Sequence, residues 1–117
     1  MKLLFILNDP PYGSERVYNA LRLAHALMKK APDAEVALFL MADAVPAAKA
    51  GQQTPSGFYN VEIMLKGVVA GKGRILLCGT CMDARGLTDG EIMAGARRGT
   101  MDELAAETLA ADRVLVF

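Results

Sequence analysis

The stretch Lys2-Leu3-Leu4-Phe5-Ile6-Leu7-Asn8-Asp9-Pro10-Pro11-Tyr12-Gly13 decides the fold class. Its opening run, Lys2 to Leu7, is almost wholly apolar. That is the pattern of a parallel strand covered on both faces. Pro10, Pro11 and Gly13 then stop the strand and forbid a helix in the loop. The same opening superficially suggests a signal peptide. Its apolar run is short, however, and Asn8-Asp9-Pro10-Pro11 stands where small residues would mark a cleavage site. A first strand, in a cytoplasmic protein, is the expected reading.

Working outward, strand-like and helix-like segments alternate. Ser14 can cap a helix whose stripe is Val17, Leu21, Ala24 and Met28, ending at Lys29 and Lys30 before Pro32. Val36 to Met41 reads as a second strand. Asp43 can cap a short helix through Ala50, and Gln52 to Gly57 reads as a surface loop. Asn60 caps a third helix with Val61, Met64, Leu65 and Val68 on one face and Gly71 as its stop. Ile75 to Leu77 is a third strand. Glu91 to Gly95 reads as either a short strand or one helical turn. Thr100 with Glu103 makes a capping box, predicting a helix from Met101 to about Ala111, and Val114 to Phe117 is a last strand. Strands separated by helices imply an α/β fold with a parallel sheet and right-handed crossovers.

The chain has 117 residues, 53% of them hydrophobic, and its formal net charge is zero. That length fits a single domain, residues 1–117, with a core that needs neither disulfides nor metal. Zero net charge removes the electrostatic footprint of a general nucleic-acid binder. No apolar run approaches the roughly 20 residues that span a bilayer. Two cysteines and one histidine are too few for a structural zinc site within one chain, and no cofactor or metal is called for.

Chemistry concentrates in Leu77-Cys78-Gly79-Thr80-Cys81-Met82-Asp83-Ala84-Arg85-Gly86. A C-x-x-C follows a buried strand, at the edge where open α/β sheets place ligands. A helix beginning near Thr80 would point N–H groups at Cys78 and favour its thiolate, the nucleophilic form, near neutral pH. Cys81 would stand one turn along, able to close a disulfide or take a sulfur atom. Against this stands the use of buried cysteine as a small apolar filler. A plain thioredoxin fold fits poorly, because there the redox motif follows the first strand of a βαβ unit.

These segments resemble the DsrE/DsrF-like family, and within it the YchN-like branch. The resemblance rests on the opening strand with Asn8 to Arg16, on Asn19-Ala20-Leu21-Arg22-Leu23-Ala24, on Cys78 to Gly86, and on Ala111-Asp112-Arg113-Val114-Leu115-Val116-Phe117. It implies a three-layer α/β/α sandwich around a five-stranded parallel sheet, with Glu91 to Gly95 as the fourth strand. It implies a homo-oligomer, a trimer or hexamer. Members of the DsrE and TusD type pass sulfur between partner proteins as a cysteine persulfide. Their active cysteine, counted back from Gly86, falls at Cys78. Cys81 departs from that type and fits the YchN-like branch, so relay and two-cysteine redox chemistry both stay open.

The candidate site is therefore Cys78 and Cys81 as catalytic residues, with Arg85, Asn8 and Tyr12 as substrate-binding residues. Asn8 and Tyr12 follow a parallel strand and share the sheet edge with Cys78. The plain alternative is that they fix a proline-rich turn. Arg85 is preferred over Arg97 and Arg98 for its nearness to the cysteines. Phe58 and Tyr59 read as interface or core, and His25 as a surface residue. The leading expectation is a sulfurtransferase-like carrier that meets donor and acceptor proteins. A thiol–disulfide redox protein, a non-enzymatic oligomeric binding module and an intersubunit metal site are the alternatives.

Overall fold

The computed structural model describes residues 1–117. Five strands form one parallel sheet: β1 (Lys2–Leu7), β2 (Glu35–Leu40), β3 (Arg74–Cys78), β4 (Ala96–Gly99) and β5 (Arg113–Val116). Their order is β4-β3-β2-β1-β5. The helices are α1 (Arg16–Lys30), α2 (Val61–Ala70), α3 (Gly79–Ala84) and α4 (Met101–Ala110).

The order explains the layers. From β1 through β4 the chain steps in one direction, so right-handed connections keep their helices on one face. The connection from β4 to β5 runs back across the sheet, and the same handedness puts α4 on the other face. Alternation along the strands feeds both sides. Leu3, Phe5 and Leu7 join α1, α2 and Met82 of α3 in a buried cluster of 22 residues. Leu4, Ala37, Phe39 and Leu76 join Leu104 of α4 in a cluster of five. The sandwich thus has one thick layer and one thin one.

Local chemistry follows the sequence in most places. Asn60 Oδ1 accepts from Ile63 N at 3.1 Å and caps α2. Lys29 and Lys30 sit in the last turn of α1, where cations meet the negative end of the helix. Elsewhere tertiary contacts win. Ser14 stands one residue before the N-cap position of α1, which is Glu15 with no side-chain cap; the Ser14 hydroxyl accepts from Arg16 N, the first N–H of the helix, at 3.3 Å and donates to Asp9 at 2.9 Å. The segment after β2 is a 3-10 helix, Ala42–Ala48, with Pro46 inside it. Pro46 has no N–H to give.

The fourth strand is Ala96–Gly99, not Glu91 to Gly95. Glu91 is drawn into a capping box, accepting from Thr88 N at 3.0 Å and Thr88 Oγ1 at 2.9 Å. Gly95 then takes φ +91°, outside the range of a regular strand. Pairing therefore starts at Ala96, opposite Ile75. The box expected at Thr100 is half made: Thr100 Oγ1 accepts from Glu103 N at 3.1 Å, while the Glu103 carboxylate goes to Arg97.

His25 is half-buried rather than exposed. Its Nε2–H donates to the Met64 carbonyl at 2.7 Å, tying α1 to α2. No helix is long and apolar enough to cross a membrane.

Candidate functional site

At the end of β3 the chain turns into α3, on the thick side of the sheet. At the end of β4 it leaves for α4, on the thin side. The adjacent carboxyl ends of β3 and β4 therefore form the topological switch point, where open α/β sheets leave a crevice for ligands. Cys78 pairs in register with Gly99 at that point. Cys78 packs against both buried clusters, so it lies at the rim between the two sides of the sheet.

Both cysteines are half-buried and neither is in a disulfide. Cys78 stands at the N-cap of α3, and its Sγ accepts from Cys81 N at 3.3 Å. The expected local geometry is therefore present, with Cys81 one turn beyond Cys78. The electrostatic outcome differs from expectation. Burial pushes the Cys78 thiol above the usual range, and the adjacent Cys81 thiol pushes it further, while the Cys81 and Thr80 N–H groups pull it down. The upward causes win, because one short turn of N–H groups does not replace the water that burial removes.

Arg85 ends the same turn. Its Nη1 donates to the Cys81 carbonyl at 3.1 Å, and its Nε and Nη2 donate to Asp43 Oδ1 at 3.0 and 2.9 Å. The predicted residues Cys78, Cys81 and Arg85 are thus brought together on one element. Asn8 and Tyr12 are engaged elsewhere. Asn8 Nδ2 donates to the Phe117 carbonyl at 3.4 Å, toward β5 and away from β3. Tyr12 bonds Gln52 Oε1, and its hydroxyl accepts from Val61 N at 3.3 Å, so it ties the first loop to the start of α2. Phe58 is 71% exposed and Tyr59 48%, so neither is core. Met82 is wholly buried.

Sequence reasoning set Arg98 aside in favour of Arg85, which is nearer the cysteines along the chain. Arg98 Nη1 donates to the Gly79 carbonyl at 2.9 Å and to Asp83 Oδ1 at 3.0 Å, and its Nε donates to Asp89 Oδ1 at 3.0 Å. The signal was the register of β4, which sets Arg98 opposite Leu77. With the strand expected at Glu91 to Gly95, Arg98 fell outside the sheet.

A surface concavity of about 470 Å³ borders this edge, lined by Asp89, Ile92, Met93, Arg97 and Arg98 among others, and contains neither cysteine. No group of three or more His, Cys, Asp or Glu side chains is gathered in a metal-holding cluster.

The family model for the DsrE/DsrF-like family matches residues 1–117. This chain belongs to the DsrE/DsrF-like family. The Escherichia coli protein YchN is 43% identical over 116 residues, covering 99% of this chain and 98% of that protein. A protein of Methanocaldococcus jannaschii is 36% identical over 117 residues, covering both chains fully. The crystal structure of the E. coli ychN protein superposes with a TM-score of 0.95 at 42% identity, covering 100% of this chain and 99% of that one. A structure from Methanobacterium thermoautotrophicum shares the fold at a TM-score of 0.80 and 10% identity, over 97% of each chain. Family membership relates the chain to sulfur-relay proteins. The five-stranded parallel α/β sandwich that the resemblance implied is the observed fold.

Proposed function

We propose that this protein is a small sulfur carrier in which Cys78 holds sulfane sulfur as a persulfide. The observation that carries the reading is the Cys78–Cys81 turn at the switch point, with a backbone N–H on the Cys78 sulfur. In the forward step the Cys78 thiolate attacks the outer sulfur of a donor persulfide. A new S–S bond forms at Cys78, the donor S–S bond breaks, and the donor leaves as a thiolate. In the second step an acceptor thiolate attacks the outer sulfur and Cys78 leaves as a thiolate. No net oxidation occurs, so no cofactor is required.

Cys81 assists by its N–H and can take the sulfur in turn. Arg85 offers charge-assisted bonds to an anionic sulfur species once Asp43 releases it. Asn8 and Tyr12 shape the same edge of the sheet through the loops they hold. The carrier works in the cytoplasm as a homo-oligomer, a trimer or hexamer, exchanging sulfur with donor and acceptor proteins. Exposed apolar residues such as Val114 and Val116 on the thinly covered face support assembly.

A second reading, reversible thiol–disulfide chemistry, is favoured by two free thiols that stand one turn apart on the same short element. Intact mass after incubation with polysulfide separates the two. A reductant-labile gain of one sulfur that Cys78→Ser abolishes supports the carrier. Loss of two hydrogens without sulfur gain supports the redox reading and overturns the carrier.

A further inference from the structure

Arg98 reaches from β4 across the switch-point crevice to the turn that carries both cysteines. Its guanidinium bonds the Gly79 carbonyl, Asp83 and Asp89 together. Its aliphatic stem lies on Gly79: a Cβ there would stand 2.9 Å from Arg98 Cγ and 3.1 Å from Cδ. Only glycine lets the arginine close on that peptide. The charge of Arg98 is matched by Asp83 and Asp89, so the group acts as a clamp and is not free to bind an anion.

We propose that Arg98 is the positioning residue of the CxxC turn, holding the Gly79 peptide so that the Cys81 N–H meets Cys78 Sγ and thereby setting the reactivity of Cys78. The inference rests on the reading of Cys78 as the reactive thiol. Gly79 lies between the two cysteines, so a tilt of its peptide moves the Cys81 N–H relative to the sulfur. Loss of the guanidinium also leaves the Asp83 and Asp89 carboxylates without their partner beside the turn. Both effects disfavour the thiolate. The other charges flanking the turn are Arg85 and its partner Asp43, at the far end of α3.

The test uses Cys81→Ser chains, which leave one thiol, and follows the iodoacetamide alkylation rate against pH. Arg98→Met is expected to slow alkylation at pH 7 on the order of fivefold and to move the rising limb of the profile to higher pH, since the rate follows the thiolate fraction. Arg98→Lys keeps the charge but cannot span three acceptors, and should recover only part of the rate. Adding Asp83→Asn and Asp89→Asn to Arg98→Met should leave the rate low. Full recovery there would overturn positioning and assign the effect to charge alone. An unchanged profile in Arg98→Met, whatever its stability, would also overturn it. If Arg98→Met does not fold, Arg98→Lys and Gly79→Ala carry the test, and wild-type profiles in both overturn it. Sulfur loading of the wild type is measured separately. Its failure would sink the carrier reading and leave the alkylation result readable.

Discussion

Arg85 grips Asp43 through Nε and Nη2, both on one carboxylate oxygen, while its Nη1 holds the Cys81 carbonyl. The side chain expected to greet an anion is thus also the tether between α3 and the 3-10 turn after β2. Its mutation should have two consequences. Arg85→Ala should cost about 0.5–1 kcal/mol of stability, the size of a partly exposed ion pair with good geometry. It should also slow sulfur loading from an anionic donor such as thiosulfate. Urea unfolding and intact-mass kinetics check the two effects, and a stability loss with undiminished loading would remove Arg85 from the binding role.

The acidity of Cys78 gives a second prediction. Burial raises its pKa first, and the neighbouring Cys81 thiol adds to the rise. Alkylation of Cys78 should therefore keep accelerating with pH beyond the point where an ordinary cysteine levels off. Cys81→Ala removes the neighbouring thiol but keeps the backbone N–H. It should shift the profile back toward lower pH. A shift to higher pH would mean that the Cys81 side chain stabilises the thiolate.

Glu62 supplies a third. It is only 6% exposed. Burial pushes its pKa up, but hydrogen bonds from Gln52 N, Gly51 N and Lys66 outweigh it and hold the carboxyl below the usual range. The ionised form is thus favoured by folding. Its contribution is present above the ordinary carboxylate pKa and is lost as pH falls through the depressed folded value. Glu62→Gln should cost about 1–3 kcal/mol at pH 7 and flatten the acid limb of stability. Urea midpoints from neutral to acid pH measure both.

A fourth concerns the contact of α1 with α2. A Cβ on Gly67 would stand 2.7 Å from His25 Cε1. Alanine normally favours a helix over glycine by about 1 kcal/mol. Here Gly67→Ala should destabilise by about 1 kcal/mol or more, because the ring must leave its bond to Met64. The double variant His25→Ala with Gly67→Ala should be more stable than His25→Ala alone, since the clash is gone and only the propensity gain remains. Thermal melts of the three variants decide the sign.

The candidate site was legible where its chemistry is local. Cys78, Gly79 and Cys81 are neighbours in the chain, and an N-cap bond spans three residues. The roles of Asn8, Tyr12 and Arg98 were not legible in that way. Asn8 finds Phe117 109 residues away, Tyr12 finds Val61 49 residues away, and Arg98 finds Gly79 19 residues away. None of these distances leaves a periodic trace in the sequence. The fourth strand was misread for a related reason. Ala96-Arg97-Arg98-Gly99 carries little apolar pattern, because it is an edge strand with exposed positions.

By itself the sequence determined the alternation of strands and helices, the parallel class of the sheet, the capping of α2 and the placement of two thiols on one turn. These depend on residue type and on spacings of a few residues, which the backbone enforces locally. Only the tertiary structure decided that β4 lies beside β3 and that the switch point falls at Cys78. It alone decided that Arg98 closes over Gly79, and that burial outweighs the N–H groups at the Cys78 sulfur. Those outcomes depend on which distant surfaces exclude water from one another, and that is settled when the layers pack.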